Sequence, residues 1–178
     1  DMPYKTYKSV SIAYKNAKHV MKITNCDAVK LEGGKKVIKI INYLVKKGIP
    51  VMGHIGVLPQ STKVFKAKGK NSAQSKNIFE DALAISNSGA FSIVLECVVE
   101  DLAKKISKNI KIPTIGIGAS RYCDGQILVI DDMLGLSDFY PKFVKKYSNL
   151  KNIIDRAIKN YSKDVKLRKF PTNKNVYN

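Results

Sequence analysis

The chain has 178 residues, enough for one domain with a real hydrophobic core. Its formal net charge is +18, but only three of its 32 basic residues are arginine. Nucleic-acid sites prefer arginine and a membrane span needs an apolar run of roughly 18 residues, so we expect neither a nucleic-acid partner nor a membrane.

Strand and helix patterns alternate along the chain. Apolar residues at helical spacing predict helices over residues 10–21, 37–45, 78–85, 98–106 and 150–158. Short apolar runs predict strands over residues 27–31, 49–53, 91–99, 112–118 and 126–130. Between them, the polar, lysine-rich stretch 58–76 is typical of a long mobile loop.

Five strands with helices between most of them predict an α/β fold with a parallel sheet covered by helices. A doubly wound sheet and part of a (β/α)8 barrel both satisfy this pattern. A complete barrel needs about 250 residues, so five strands fit its C-terminal five-eighths, with three strands expected upstream. We therefore predict a partial barrel catalytic domain over 1–162 and a basic C-terminal tail over 163–178.

The three cysteines, Cys26, Cys97 and Cys123, are far apart and form no C-x-x-C pair. They predict free thiols in a reducing compartment rather than a disulfide framework or a zinc site. No secretory signal is visible. We expect a cytoplasmic protein.

Glu96 is the most informative residue, because it is a carboxylate inside the apolar run 91–99. An unpaired charge in a buried strand costs several kcal/mol. A carboxyl group held there is a candidate for proton transfer. The alternative is a glutamate at the tip of the strand that is simply wetted by solvent.

Other polar residues also stand at predicted strand ends, where barrel enzymes place their chemistry. Asp1 and Glu32 supply carboxylate oxygens that suit a hard cation such as Mg²⁺. Lys30 could clamp a substrate carboxylate, and His54 lies between glycines. The alternatives are a surface salt bridge for Glu32, a solvated lysine and a structural histidine.

Several separate motifs occur in the order seen in the ketopantoate hydroxymethyltransferase family, which the chain resembles up to about Tyr147. The motifs are Asp1-Met2-Pro3, Val29-Lys30-Leu31-Glu32-Gly33-Gly34, Gly53-His54-Ile55-Gly56-Val57-Leu58-Pro59-Gln60-Ser61, Val94-Leu95-Glu96-Cys97, Ile115-Gly116-Ile117-Gly118-Ala119, Asp124-Gly125-Gln126-Ile127-Leu128-Val129 and Pro141-Lys142-Phe143.

The resemblance implies a (β/α)8 barrel that binds Mg²⁺, with Mn²⁺ as an alternative. It implies transfer of a one-carbon unit from 5,10-methylenetetrahydrofolate to 3-methyl-2-oxobutanoate, giving 2-dehydropantoate in pantothenate and coenzyme A biosynthesis. It also implies a homo-oligomer, a decamer in this family. By the same resemblance Asp1 is a metal and substrate ligand, Lys30 and His54 bind substrate, Glu32 is a metal ligand and Glu96 is the proton acceptor.

The chain departs from the family in three ways: it has no upstream Asp-Ser pair, its loop after Ser61 is shorter, and Ser120 stands where the family usually has glycine. Two alternatives stay open. One is a related metal-dependent carbon–carbon lyase of the phosphoenolpyruvate mutase and isocitrate lyase type, and the other is an inactive fragment.

Overall fold

The computed structural model describes residues 1–62 and 66–177. The chain divides into two compact units, Asp1–Ile127 and Leu128–Asn178. The first unit contains a sheet of five strands, β1 (Val29–Glu32), β2 (Val51–Gly56), β3 (Ser92–Glu96), β4 (Thr114–Ile117) and β5 (Gly125–Gln126).

All neighbouring strands are parallel, and their order in space is the same as their order in the chain. A doubly wound sheet reverses its strand order at a switch point, whereas a barrel adds each strand beside the one before it. The sequential order therefore decides between the two predicted folds and fits a partial (β/α)8 barrel.

Helices connect most of the strands, as the sequence predicts. The first unit contains α1 (Val10–Thr24), α2 (Ile38–Lys46), α3 (Ser72–Asn87) and α4 (Glu100–Asn109). A 3-10 turn over Lys35–Val37 leads into α2. The chain leaves α2 through Gly48, which has the positive φ of 79° that glycine tolerates best.

The two faces of the sheet differ because successive side chains in a strand point to opposite sides. One face joins the hydrophobic core with the helices, through residues such as Val29, Leu31, Val51, Ile55, Ile93 and Leu95. Gly53 allows close packing there, because a Cβ at this position would lie 2.6 Å from Cγ2 of Ile85 on α3. The alternate positions carry polar residues to the other face.

Three predicted boundaries are wrong. Strand β2 continues to Gly56, so His54 lies inside the strand and not after it. Helix α3 begins at Ser72, inside the predicted loop, because the Asn71 side chain accepts a hydrogen bond from the Gln74 N–H at 2.9 Å. Strand β5 has only two residues, and Ile130 already begins a helix.

The predicted loop also includes residues 63–65, which lie outside the described residues. The shortening predicted after Ser61 falls in the same region.

The second unit contains α5 (Ile130–Leu134), α6 (Leu150–Lys166) and a 3-10 turn over Asn173–Asn175. Helix α6 runs through the predicted boundary between residues 162 and 163, and the division into catalytic domain and tail stays a prediction. Of the helices formed by residues 1–62 and 66–177, none is long and apolar enough to cross a membrane.

Candidate active site

The polar residues predicted at strand ends gather at the C-terminal edge of the sheet. Glu32 is the last residue of β1 and Glu96 the last of β3. Strand pairing places Glu32 beside His54, and Gly56 beside Glu96. The side chains are buried, with relative exposures of 7% for Glu32, 3% for His54 and 7% for Glu96.

Side-chain contacts join four of these residues into one row. Lys30 Nζ lies 2.5 Å from Asp1 Oδ1 and 3.1 Å from His54 Nδ1. On the other side of the ring, His54 Nε2 lies 3.2 Å from Glu96 Oε2. We call Asp1, Lys30, His54 and Glu96 the site row.

The contact between His54 and Glu96 has the distance of an ion pair but not the geometry of a hydrogen bond. Nε2 of His54 is buried and has no hydrogen-bond partner among the described residues. A buried polar atom without a partner is costly. In the part of the chain that the structure describes, His54 thus has a hydrogen-bond partner at Nδ1 only, and its Nε2 faces Glu96 without one.

Lys30 is a partly buried cation between acidic groups. Its side chain is 23% exposed, which argues against a freely solvated lysine. Burial lowers the pKa of Lys30 below its ordinary value, while the nearby charges of Glu32 and Glu96 act in the opposite direction. The residue thus supplies a positive charge between two buried carboxylates.

The first residues of the chain lie against β1 and bring Asp1 to this edge. The Met2 N–H donates to the Lys30 carbonyl at 2.9 Å, and the Met2 side chain is fully buried. Gln60 connects this segment to Glu32: its side-chain amide donates to the Met2 carbonyl, and its N–H donates to Glu32 Oε2, both at 3.2 Å. Glu32 is thus a buried acceptor rather than part of a surface salt bridge.

Asp1 and Glu32 supply the kind of donor that Mg²⁺ prefers. Hard oxygen ligands suit this ion, which often binds through one or two carboxylates and keeps several waters. Within residues 1–62 and 66–177, however, no group of three or more His, Cys, Asp and Glu residues could hold a metal ion. The two carboxylates therefore fit Mg²⁺ in chemistry but form only part of a coordination set.

Cys97, which follows Glu96 at the end of β3, was predicted as a free thiol but not as a site residue. Cys97 is buried and has a φ of 52°, in the left-handed region that few non-glycine residues adopt. Burial raises the pKa of the Cys97 thiol, and the charge of Glu96 raises it further. All three cysteines are free, as predicted.

The structure therefore brings Asp1, Lys30, His54 and Glu96 into contact and places Glu32 at the same edge, next to His54 in register. The roles assigned to these five residues stay predictions. A parallel sheet in barrel order, with acidic, basic and imidazole side chains along its C-terminal edge, defines the class of (β/α)8-barrel enzymes.

Comparison with known proteins gives the family. The family model for ketopantoate hydroxymethyltransferase matches residues 1–173, and the chain belongs to this family. The resemblance seen in the sequence motifs is confirmed. Membership in this family also decides against the related lyases as the class of this protein.

Curated relatives carry the name 3-methyl-2-oxobutanoate hydroxymethyltransferase. The relative from Pelagibacter ubique is 55% identical over 177 residues, covering 99% of this chain and 69% of the relative. Those from Phenylobacterium zucineum and Anaplasma marginale are 51% and 48% identical, each over 99% of this chain. The chain spans 66% and 65% of the length of these two relatives.

Proposed function

We propose that the protein transfers a hydroxymethyl group to 3-methyl-2-oxobutanoate. In this proposal 5,10-methylenetetrahydrofolate is the donor and 2-dehydropantoate, a precursor of pantothenate and coenzyme A, is the product. The names of the relatives support the acceptor and the transferred group. The observation that carries the proposal is the site row, which ends in the buried Glu96 carboxylate beside His54.

Glu96 acts as the general base. The reaction needs a carbanion equivalent at C3 of the 2-oxo acid, so the C3–H bond must break and its proton must pass to a base. A buried carboxylate held at the end of a rigid strand is suited to this step. The electron pair left behind is delocalised into the adjacent keto group as an enolate.

Lys30 and His54 bind the 2-oxo acid and orient the groups that react. The Lys30 ammonium group binds the carboxylate of the 2-oxo acid, and burial strengthens this attraction because the local dielectric is low. His54 lies between Lys30 and Glu96. Its unpartnered Nε2 orients the Glu96 carboxylate or donates to a substrate oxygen.

The carbon–carbon bond forms in the second step. The C3 carbon of the enolate bonds to the one-carbon unit supplied by 5,10-methylenetetrahydrofolate. Water provides the hydroxyl oxygen of the product, both carbon–nitrogen bonds of the methylene bridge break, and tetrahydrofolate leaves. The three protons needed by the two released nitrogens and the new hydroxyl group are the two of that water and the one that Glu96 removed from C3. The chain's own contribution is to hold the 2-oxo acid with C3 next to Glu96.

A divalent cation, Mg²⁺ or Mn²⁺, belongs to the proposal, with Asp1 and Glu32 as the residues that would hold it. When bound, the cation supplies Lewis-acid stabilisation of the negative charge that develops on the 2-oxo acid. A homo-oligomeric assembly, a decamer by family resemblance, and a cytoplasmic location are part of the same proposal.

The test is exchange of the C3 proton of 3-methyl-2-oxobutanoate with D₂O, followed by NMR in the full-length protein with Mg²⁺ and without folate. Glu96→Gln keeps the shape of the side chain but cannot accept the proton. We expect exchange to fall about 10²–10⁴-fold, the usual effect of removing a general base, with substrate binding retained.

Glu100→Gln is the matched control, because it removes the same charge four residues further along, on α4 and outside the site row. It should exchange at the parental rate. Equal exchange by Glu96→Gln and the parent would place the base elsewhere, with His54 as the next candidate. A full-length parent that exchanges no protons would support the inactive alternative.

A further inference from the structure

Cys97 is the only buried residue among the four described non-glycine residues with positive φ; Lys5, Asn25 and Arg168 are exposed. Such a conformation persists only where the surrounding structure determines it strongly, and it is concentrated at functional sites. Here it occurs directly after Glu96. The conformation of Cys97 therefore determines how the chain leaves β3, immediately after Glu96.

Both peptide groups of Cys97 are held by other parts of the chain. Its N–H donates to the Ile117 carbonyl of β4 at 2.9 Å, and its carbonyl accepts from the Lys68 N–H at 2.7 Å. The Lys68 carbonyl in turn accepts from the Val99 N–H at 2.9 Å. Lys68 thus forms a single parallel bridge along the turn that follows Glu96.

Gln74, in the first turn of α3, holds the segment that contains Lys68 through hydrogen bonds. Its side-chain carbonyl accepts hydrogen bonds from the N–H groups of Gly69 at 2.5 Å and of Lys70 at 3.4 Å. Gly69 is buried against α4, where a Cβ would lie 2.5 Å from Cδ2 of Leu102. The Lys68 segment is therefore held from α3 through Gln74 and has little room to shift against α4.

We propose that Gln74 is a positioning residue for the reaction. It acts through Gly69 and Lys68 on Cys97, and so holds the Glu96 carboxylate at its distance from His54. This inference rests on the proposed role of Glu96 as the base. The first turn of α3 then serves the reaction, through Gln74, in addition to beginning the helix.

The chemistry explains why small displacements matter. Proton abstraction needs the carboxylate within hydrogen-bond reach of the proton it removes, and a misplacement of about 1 Å can cost 10²-fold in rate. When the Lys68 bridge loosens, the Glu96 carboxylate is still present but is held less precisely relative to the C3 proton of the substrate. The loss should appear in kcat rather than in KM, because Lys30 still binds the substrate carboxylate.

The test compares Gln74→Ala with Gln74→Glu in the full-length protein, using the same C3 proton exchange. Gln74→Ala removes the acceptor for Gly69, and Gln74→Glu keeps it. We expect about a 10-fold or larger fall in kcat for exchange in Gln74→Ala, with KM within about twofold. Gln74→Glu should recover most of the parental rate.

Ser9→Ala is the structural control. It removes the N-cap of α1, whose side chain accepts a hydrogen bond from the Ile12 N–H at 3.3 Å, and leaves α3 and the Gln74 carbonyl in place. It should lower Tm at least as much as Gln74→Ala while keeping kcat near the parental value. Equal losses of kcat in the two alanine variants, or no loss in Gln74→Ala, would overturn the positioning role.

A double variant separates this inference from the proposed function. In a Glu96→Gln background, Gln74→Ala should cause no further loss, because no base remains to be aimed. A full additional loss there means that Gln74 acts by another route and contradicts the inference. Unchanged exchange in Glu96→Gln alone instead contradicts the proposed function.

Discussion

Gly56 offers a sharp test of how tightly the end of β2 is packed against Glu96. Its φ is +98°, and a Cβ built on it would lie 2.1 Å from the Glu96 carbonyl oxygen and 2.9 Å from Cγ2 of Val98. Since real Cβ contacts essentially never fall below 3.0 Å, Gly56→Ala must displace the backbone by about 0.9 Å, a strain that a close-packed interior transmits to its neighbours.

The expected loss of stability has two parts. A non-glycine residue in an unfavourable backbone region costs about 1–3 kcal/mol. Displacing the Glu96 carbonyl also breaks its hydrogen bond from the Val57 N–H, at 2.9 Å, which contributes about 1 kcal/mol. A total of about 2–4 kcal/mol should lower Tm by roughly 4–16 °C, at about 2–4 °C per kcal/mol for chains of this size.

Thermal and urea unfolding of the full-length protein measure this loss, and Gly48→Ala provides the control. Gly48 also has positive φ, at 79°, but a Cβ added there would have no neighbouring atom within 4 Å. It should lose only the backbone part, about 1–2 kcal/mol for a non-glycine residue in the left-handed region. Equal destabilisation by the two variants would refute the close contact between Gly56 and the Glu96 carbonyl.

Three further predictions test the metal, a structural carboxylate and the surface charge. Glu32→Gln should weaken Mg²⁺ binding measured by calorimetric titration, while Glu80→Gln, on α3 and paired with Lys35, should not. Unchanged affinity in Glu32→Gln would argue against Glu32 as a ligand. Hydrogen bonds from the N–H and hydroxyl of Thr114 lower the pKa of Asp124. The stability that the Asp124 carboxylate contributes is therefore present above its pKa in the unfolded chain, about 3.9. It is lost as the pH falls through the lower pKa of the folded protein. Asp124→Ala should therefore cost about 1 kcal/mol at pH 7 and almost nothing at the lowest pH values, and a pH-independent cost in urea unfolding would contradict this sign. Duplex DNA should bind weakly and without sequence preference at physiological salt, and a Kd below about 10⁻⁸ M in a fluorescence titration would revive the nucleic-acid interpretation.

Local pattern was enough to predict the alternation of strands and helices and the edge at which the chemistry lies. Buried parallel strands appear as short apolar runs, so an acidic or basic residue at the end of such a run stands out, as Glu32 and Glu96 do. Because parallel strands all end at one edge, the position of each residue in its own strand predicts that they gather.

Element boundaries were predicted less well where a contact decides them. The apolar stretch 126–130 has strand propensity, yet only Gly125 and Gln126 pair with β4. The start of α3 depends on the Asn71 side chain, and the spacing of Asn71 and Gln74, typical of a capped helix, was the signal that could have shown it.

The sequence by itself determined the fold class, the family and the residue types at the strand ends, because these follow from periodicity and from motifs that are contiguous in the chain. Only the tertiary structure decided the strand order, the contact between His54 Nε2 and Glu96, and the bridge from Lys68 to Cys97. The two contacts join residues that lie 42 and 29 positions apart. No local pattern specifies such pairs, because each depends on how the strands and helices pack together.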